Sequence, residues 1–376
     1  MHYFDHSATT PLHTQVKNLM NEVGELHFGN PSSVHSLGRK ARVLIETARK
    51  QMASAIGCEP QEIIFTSGGT EANNQVLWNV ARNDKKHVVT SVIEHPAILK
   101  TLEHLSDFGV TYTAVRVDEN GLVDPQDVEN AITEETGLIS IMLANNEVGT
   151  IQPIADISAM AKEHGIMMHS DAVQALGKIP INAKEIGVDC ISFSAHKFYG
   201  PKGIGTLFIK NGLKLKPLIY GGTQERSVRA GTENTIGITG LGLAAELAAK
   251  NVETSADHFY SLTEIFKEQL NNILPDAVYH GHPNHRLPGL ISVSFPNYRN
   301  DLLMAHLDRR GIAVSSGSAC SSGDVKPSKI LSAMKVDDHL NICTLRISFG
   351  LGNTLEEVSI LTKAIHSSLE QIRSAA

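Results

Sequence analysis

The run SFSAHKFYGPKGIG, Ser192 to Gly205, decides the fold. Its apolar approach, residues 190–194, predicts a buried strand that ends in small and polar residues, meets Lys197 and enters a glycine-rich turn. Residues 205–209 predict the next strand. Working outward, short apolar runs at 62–66, 87–91, 111–115, 138–144 and 166–169 alternate with helical stretches. Most of these runs are continuous rather than alternating, which is how strands covered on both faces read. The expected fold is therefore α/β, with a mainly parallel seven-stranded sheet between helices. Ahead of the first strand, residues 34–56 predict an amphipathic helix. Val34, Leu37, Ala41, Leu44, Ala48, Met52 and Ala55 share its apolar face, and Gly57 closes it.

The pattern changes after about Asn251. A long polar helix (252–274) leads to strands at 290–294 and 344–349, mixed with helices at 301–310 and 355–372. We expect two domains: a large one over 15–252, and a smaller α+β one built from 1–14 and 253–376. A length of 376 residues fits two domains, and 41% hydrophobic with 19% charged residues fits a soluble globular chain. The net charge of -7 argues against direct nucleic-acid binding. Apolar runs such as 139–144 are too short to cross a bilayer, and MHYFDHSATTP has no signal-peptide character, so a cytoplasmic protein without a membrane partner is expected. Four scattered cysteines (58, 190, 320, 343) form no C-x-x-C pair, which argues against a zinc site or a disulfide framework. Cys58, Cys190 and Cys343 are expected in the core. His280, His282 and His285 fall in a polar loop with Pro and Gly, expected to be solvent-exposed rather than a metal site.

The chemistry centres on Lys197. A lysine at a strand's C-terminal end in apolar surroundings has a lowered pKa and can form a Schiff base. Asp171 follows another buried strand. Alone it would be read as a helix N-cap, but pyridoxal phosphate (PLP) chemistry needs a carboxylate against the pyridine nitrogen. Gln174, three residues on, could reach the ring's phenolic oxygen. In Phe65-Thr-Ser-Gly-Gly-Thr70 a strand enters a turn that opens a helix, and free N–H groups there suit a phosphate; Gly69 and Thr70 belong to this cradle. His95, in Ile93-Glu-His-Pro, could stack on the ring and move protons. Asn145 ends a further strand. All these positions are expected at C-terminal strand ends, where open α/β sheets bind ligands. Cys320 lies in Ser315-Ser-Gly-Ser-Ala-Cys-Ser-Ser-Gly323, a run of small residues suited to a mobile loop.

TSGGTEANN, IEHPA, NNEVGTIQPI, DAVQALGK, SAHKFYGPKGIG, QERSVRAGTEN, SSGSACSSG and LRISFG occur in this order along the chain. Together they resemble the NifS/IscS-type cysteine desulfurases, fold-type I PLP-dependent transferases grouped with the class V aminotransferases. The resemblance runs from FDHSATTP to LRISFG. It implies that Lys197 holds PLP, that Asp171 and Gln174 contact its ring, and that Thr70, Ser194 and His196 hold its phosphate. Thr232 would serve the phosphate across a homodimer interface. His95 would stack on the ring and act in acid–base steps. Asn30, Asn145 and Arg346 would surround the substrate carboxylate. Cys320 would accept sulfur from L-cysteine as a persulfide, release L-alanine and pass the sulfur to an acceptor protein for iron–sulfur clusters, thiolated tRNA or phosphorothioate DNA. Ser7 stands where Ala is usual, and Thr223 where Gly is usual. The tail after the last helix is shorter than that of housekeeping members, which puts an iron–sulfur scaffold partner in doubt. Selenocysteine lysis and transamination are the rival activities, and a non-catalytic scaffold is the rival class. The Cys320 loop argues against transamination, and Lys197 with Asp171 argues against the scaffold.

Overall fold

The computed structural model describes residues 1–317 and 326–375, so Cys320 lies outside the described residues. The strands are β1 (His2–Tyr3), β2 (Ile63–Thr66), β3 (His87–Ser91), β4 (Thr111–Val115), β5 (Thr136–Ser140), β6 (Met167–Asp171), β7 (Cys190–Ser194), β8 (Gly205–Ile209), β9 (Val278–His280), β10 (Leu290–Ser294), β11 (Ile312–Ala313) and β12 (Thr344–Ser348). Seven of them form one sheet in the order β2-β8-β7-β6-β5-β3-β4. Strands β3 to β7 pair in parallel, and β8 alone runs against both of its neighbours. Strands β2, β3, β7 and β8 are buried at every position, as their continuous pattern predicts, whereas the edge strand β4 is exposed from Thr111 to Thr113.

The expected strand at 138–144 is shorter, because its ladder ends at Ser140. Ile141 and Leu143 still donate to the carbonyls of His169 and Asp171, which guides the chain along β6 to Asn145. The helix expected at 34–56 spans Ser36–Ala55, since His35 caps it by accepting from the Gly38 N–H. Val34 falls outside the helix and is 87% exposed. Ala41, Ala48, Met52 and Ala55 of the expected face are buried, joined by Ile45 and Ala53, while Leu37 and Leu44 are only half-buried. This helix packs tightly on the helix Thr235–Lys250, where any side chain at Gly242 would overlap the Ala48 backbone. Gly57, with φ +67, ends the first helix as expected.

The second unit is an antiparallel sheet, β12-β10-β9, flanked by the helices Val252–Ile273, Asn300–Arg309 and Leu355–Ala375. Its apolar cluster includes Phe266, Ile291, Phe295, Leu345 and Phe349, and also Phe4 from the N-terminus. Strand β1 pairs in parallel with β11, which ties residues 2–3 to 312–313. Among the described residues, no helix is long and apolar enough to cross a membrane. One expectation fails here. His280 is not on an exposed loop; it ends β9, is buried, and its Nε2 lies 2.6 Å from the Ser294 hydroxyl. The strand pairing to β10 draws it inside, while His282 and His285 remain on the outer turn.

Candidate active site

Because β2, β3, β5, β6 and β7 all point the same way, the segments that follow them meet at one sheet edge. Asp171 is the last residue of β6, and Lys197 ends the 3-10 turn Ala195–Lys197 directly after β7. The helix Gly69–Val80 starts after β2, His95 caps the helix Pro96–Leu105 after β3, and Asn145 follows β5.

The N-terminal segment folds over this edge. Lys197 Nζ donates to the carbonyls of Ser7 (2.6 Å) and Ala8 (2.8 Å). Thr10 closes on the same turn: its N–H and hydroxyl donate to the His196 carbonyl, and its Oγ1 accepts from the Tyr199 N–H. Burial and the nearby Arg346 charge lower the Lys197 pKa to about 8, opposed by Asp5 and Asp171. A carbonyl-clasped amine that loses its proton near neutrality is a competent nucleophile.

Asp171 is held on both oxygens. Oδ1 accepts from the Val173 N–H at 3.0 Å, and Oδ2 accepts from Asn73 Nδ2 at 2.7 Å. The Gln174 amide is locked in one orientation: Nε2 donates to the Ser7 carbonyl, which can only accept, and Oε1 therefore accepts from Lys178 Nζ. Burial, then Lys197 and Arg346, lower the Lys178 pKa to about 7. His95 Nδ1 accepts from the Ala97 N–H at 3.1 Å, which leaves the ring proton on Nε2. The ring is open to solvent in the single chain, yet desolvation lowers its pKa; Asp171 opposes this and Lys197 adds to it. His196 Nδ1 lies 3.1 Å from Thr9 Oγ1, and burial followed by Lys197 lowers its pKa to about 4.

The turn before the helix Gly69–Val80 is a cradle. Its N-cap, Gly68, provides no side-chain cap, so first-turn N–H groups remain for an anion. A Cβ on Gly69 would come within 2.5 Å of Val173 Cγ2, and one on Gly205 within 2.7 Å of Gly68 Cα. Glycine at 205 therefore lets β8 press the turn against Ser194 at the end of β7. Thr70 is exposed beside it.

The other expected residues have different surroundings. Asn145 is fully buried and its amide shapes its own turn: Oδ1 accepts from the N–H groups of Glu147 and Val148, and Nδ2 donates to the Ile93 carbonyl. Arg346 pairs with Asp5 and donates to the Asn146 carbonyl at 3.0 Å. Asn30 and Thr232 are exposed, and among the described residues no hydrogen bond joins either to the cluster. Asn30 Oδ1 accepts from the nearby Ser32 N–H. Sequence reasoning missed Asn73, Lys178 and the two clasping carbonyls. Asn73 lies one helical turn after Thr70, and that spacing was its available signal. The donor set fits an aldehyde cofactor carrying a phosphate: an amine, a buried carboxylate, an imidazole and an uncapped helix start with no Cβ in the way.

The sequence profile of the class-V aminotransferases matches residues 2–361. The chain is 44% identical over 375 residues to the cysteine desulfurase IscS of Dictyoglomus turgidum, a match that covers 99% of this chain and 95% of that protein. A solved NifS-like protein superposes with a TM-score of 0.93 at 39% identity, covering 98% of this chain and 99% of that one. A structure described as SspA in complex with cysteine superposes with a TM-score of 0.81 at 34% identity, covering 93% and 99%. The chain belongs to the class-V aminotransferase family. Within that family its full-length relatives set it among the cysteine desulfurases.

Proposed function

We infer that the protein is a PLP-dependent cysteine desulfurase that converts L-cysteine to L-alanine and keeps the sulfur on Cys320 as a persulfide. The observation that carries this reading is Lys197, an amine with a pKa of about 8, clasped beside a carboxylate that is hydrogen-bonded on both oxygens. Lys197 would hold the cofactor, Asp171 its ring nitrogen and Gln174 its phenolic oxygen. Gly69, Thr70, Ser194 and His196 would hold its phosphate, and His95 would cover the ring. When bound, PLP supplies an electron sink for charge formed at the substrate Cα.

The chain's own groups do the rest. Lys197 takes the Cα proton as a base of suitable pKa. His95, neutral and protonated on Nε2, moves protons at the open face. Arg346 and Asn145, with Asn30, orient the substrate carboxylate. The Cys320 thiolate attacks the substrate sulfur; the new S–S bond forms as the Cβ–S bond breaks, and protonation at Cβ followed by return of a proton to Cα completes alanine. The three described cysteines are poor rivals for this step. All are buried, and burial pushes the Cys58 thiol up to about 12 and raises Cys190 and Cys343 as well.

We further propose a cytoplasmic homodimer in which Thr232 serves the partner subunit's phosphate. Phe28, 75% exposed, and Val34 are the kind of bare apolar surface a two-fold partner covers. The domain division at about 252 is proposed on the same footing, supported by separate apolar clusters, although Ile330, Leu331 and Met334 join the larger one. A sulfur-acceptor protein completes the reaction.

The test is mass spectrometry of the protein mixed with L-cysteine and no acceptor. One extra sulfur is expected on the peptide containing Cys320, and none in Cys320→Ala. Sulfur on Cys58, Cys190 or Cys343 instead, or full turnover by Cys320→Ala, would overturn the carrier assignment.

A further inference from the structure

Glu71 is the third residue of the helix Gly69–Val80, so a carboxylate stands in the first turn of the phosphate cradle. Its side chain is only 9% exposed. Burial acts to raise its pKa, but the Arg229 hydrogen bond, the Ser67 contacts and the Arg229 charge outweigh burial and hold the group below the usual range. It is therefore an anion at neutral pH, close to where a phosphate would bring two more negative charges.

Two contacts explain why it is tolerated. Glu71 Oε2 accepts from the Ser67 N–H at 2.8 Å, which fixes the turn entering the helix. Arg229, from a segment 158 residues away, grips the same carboxylate like a fork: Nε to Oε1 at 3.0 Å and Nη2 to Oε2 at 3.4 Å. A carboxylate in the first turn would otherwise compete with an incoming anion for the positive end of the helix, and at short range it would repel that anion.

We propose that Arg229 is a positioning residue for the cofactor phosphate: by neutralising and holding Glu71 it leaves the helix start to the phosphate. Glu71 then keeps its role in shaping the turn without opposing the ligand. The inference rests on the phosphate placement given under the proposed function. It assigns Arg229 no contact with the phosphate itself; the effect passes through one carboxylate.

Cofactor-free protein is titrated with PLP and with pyridoxal, which lacks the phosphate, and binding is followed by absorbance. Wild type is expected to prefer PLP; equal affinities would remove the phosphate placement itself and this inference with it. With that preference in hand, Arg229→Met is expected to weaken PLP about tenfold or more while pyridoxal changes less than about threefold. Adding Glu71→Gln to Arg229→Met should restore the wild-type preference to within about threefold, because the repelling charge is gone. Glu71→Gln alone should hold or raise the preference, since the guanidinium is then unneutralised. The inference is overturned if Arg229→Met keeps the wild-type preference, if Glu71→Gln fails to rescue it, or if Glu71→Gln alone lowers it.

Discussion

Arg346 Nη2 and Asp5 Oδ1 form an ion pair of 2.8 Å between residues 341 apart in sequence. Nη1 is taken by the Asn146 carbonyl, while Nε is buried and has no hydrogen-bond partner among the described residues. The guanidinium is thus braced from two sides and keeps its Nε–H unpaired among the described residues.

Arg346→Ala is expected to raise KM for L-cysteine by about 10- to 100-fold and to cost about 3 kcal/mol of stability, because Asp5 is left without its partner. Arg346→Lys keeps the charge but loses the fork, so it should fall between the two. Steady-state kinetics with urea unfolding separates the roles. An unchanged KM in both variants with lower stability would reduce Arg346 to a structural ion pair.

On the proposed function, Lys197 would govern cofactor capture. Its pKa falls from the ordinary 10.5 to about 8, first through burial and then through Arg346. Only the neutral amine adds to an aldehyde, so the rate at which cofactor-free protein takes up PLP should climb through about pH 8 and then level. A rate still climbing above pH 10 would contradict the buried setting. Lys197→Ala should lose the visible absorbance of lysine-bound PLP and more than about a thousandfold in activity.

Asn73→Ala removes the donor 2.7 Å from Asp171 Oδ2 inside a buried pocket. A hydrogen bond to a charged group contributes about 1.5–3 kcal/mol, so PLP affinity should drop about tenfold or more. Asn73→Asp should be worse, since it places a second carboxylate there. Spectrophotometric titration reads both, and unchanged affinity in Asn73→Asp would show that the contact does not support the ring site.

Buried neutral histidines make the fold sensitive to acid. Burial lowers His169 to about 3; His6, with a further push from Lys178, and His280 go to about 4. Between pH 6.5 and 4 the unfolded chain binds these protons and the folded chain does not, so stability falls as pH falls. At pH 5 each histidine costs on the order of 2 kcal/mol. Glu94 acts in the opposite sense, because burial raises its carboxyl to about 8, but one group does not offset three. The urea midpoint should decline steadily from pH 7 to 5. A flat midpoint would mean that these rings are charged or solvated in the fold.

The strand, lysine and glycine turn of 192–205 were legible because apolar runs and glycines impose their geometry locally. The sheet edge followed from them. What stayed hidden came from far along the chain. Ser7 and Ala8 act on Lys197 through main-chain carbonyls, which any residue supplies, so no side-chain pattern announces them. His280 looked exposed beside Pro and Gly, and only its pairing with Ser292 across β9 and β10 takes it inside. Val34 looked like helix face, yet His35 starts the helix after it.

The clasp on Lys197 also sets an order of events during synthesis. Residues 2–8 leave the ribosome early, but their partners at 312–313 and 346–348 emerge roughly 300 residues later, on the order of half a minute at ordinary translation speed. Until then β1 has no strand to pair with, and Phe4 lacks most of its apolar neighbours. At that stage the segment is held over the sheet edge at one end only, by Ser7, Ala8 and Thr10 against Gln174, Lys197 and the 196–199 turn. Ribosome-bound chains ending before Thr344 should therefore hold PLP less firmly than the finished protein, so that the site tightens only when the polypeptide is nearly made.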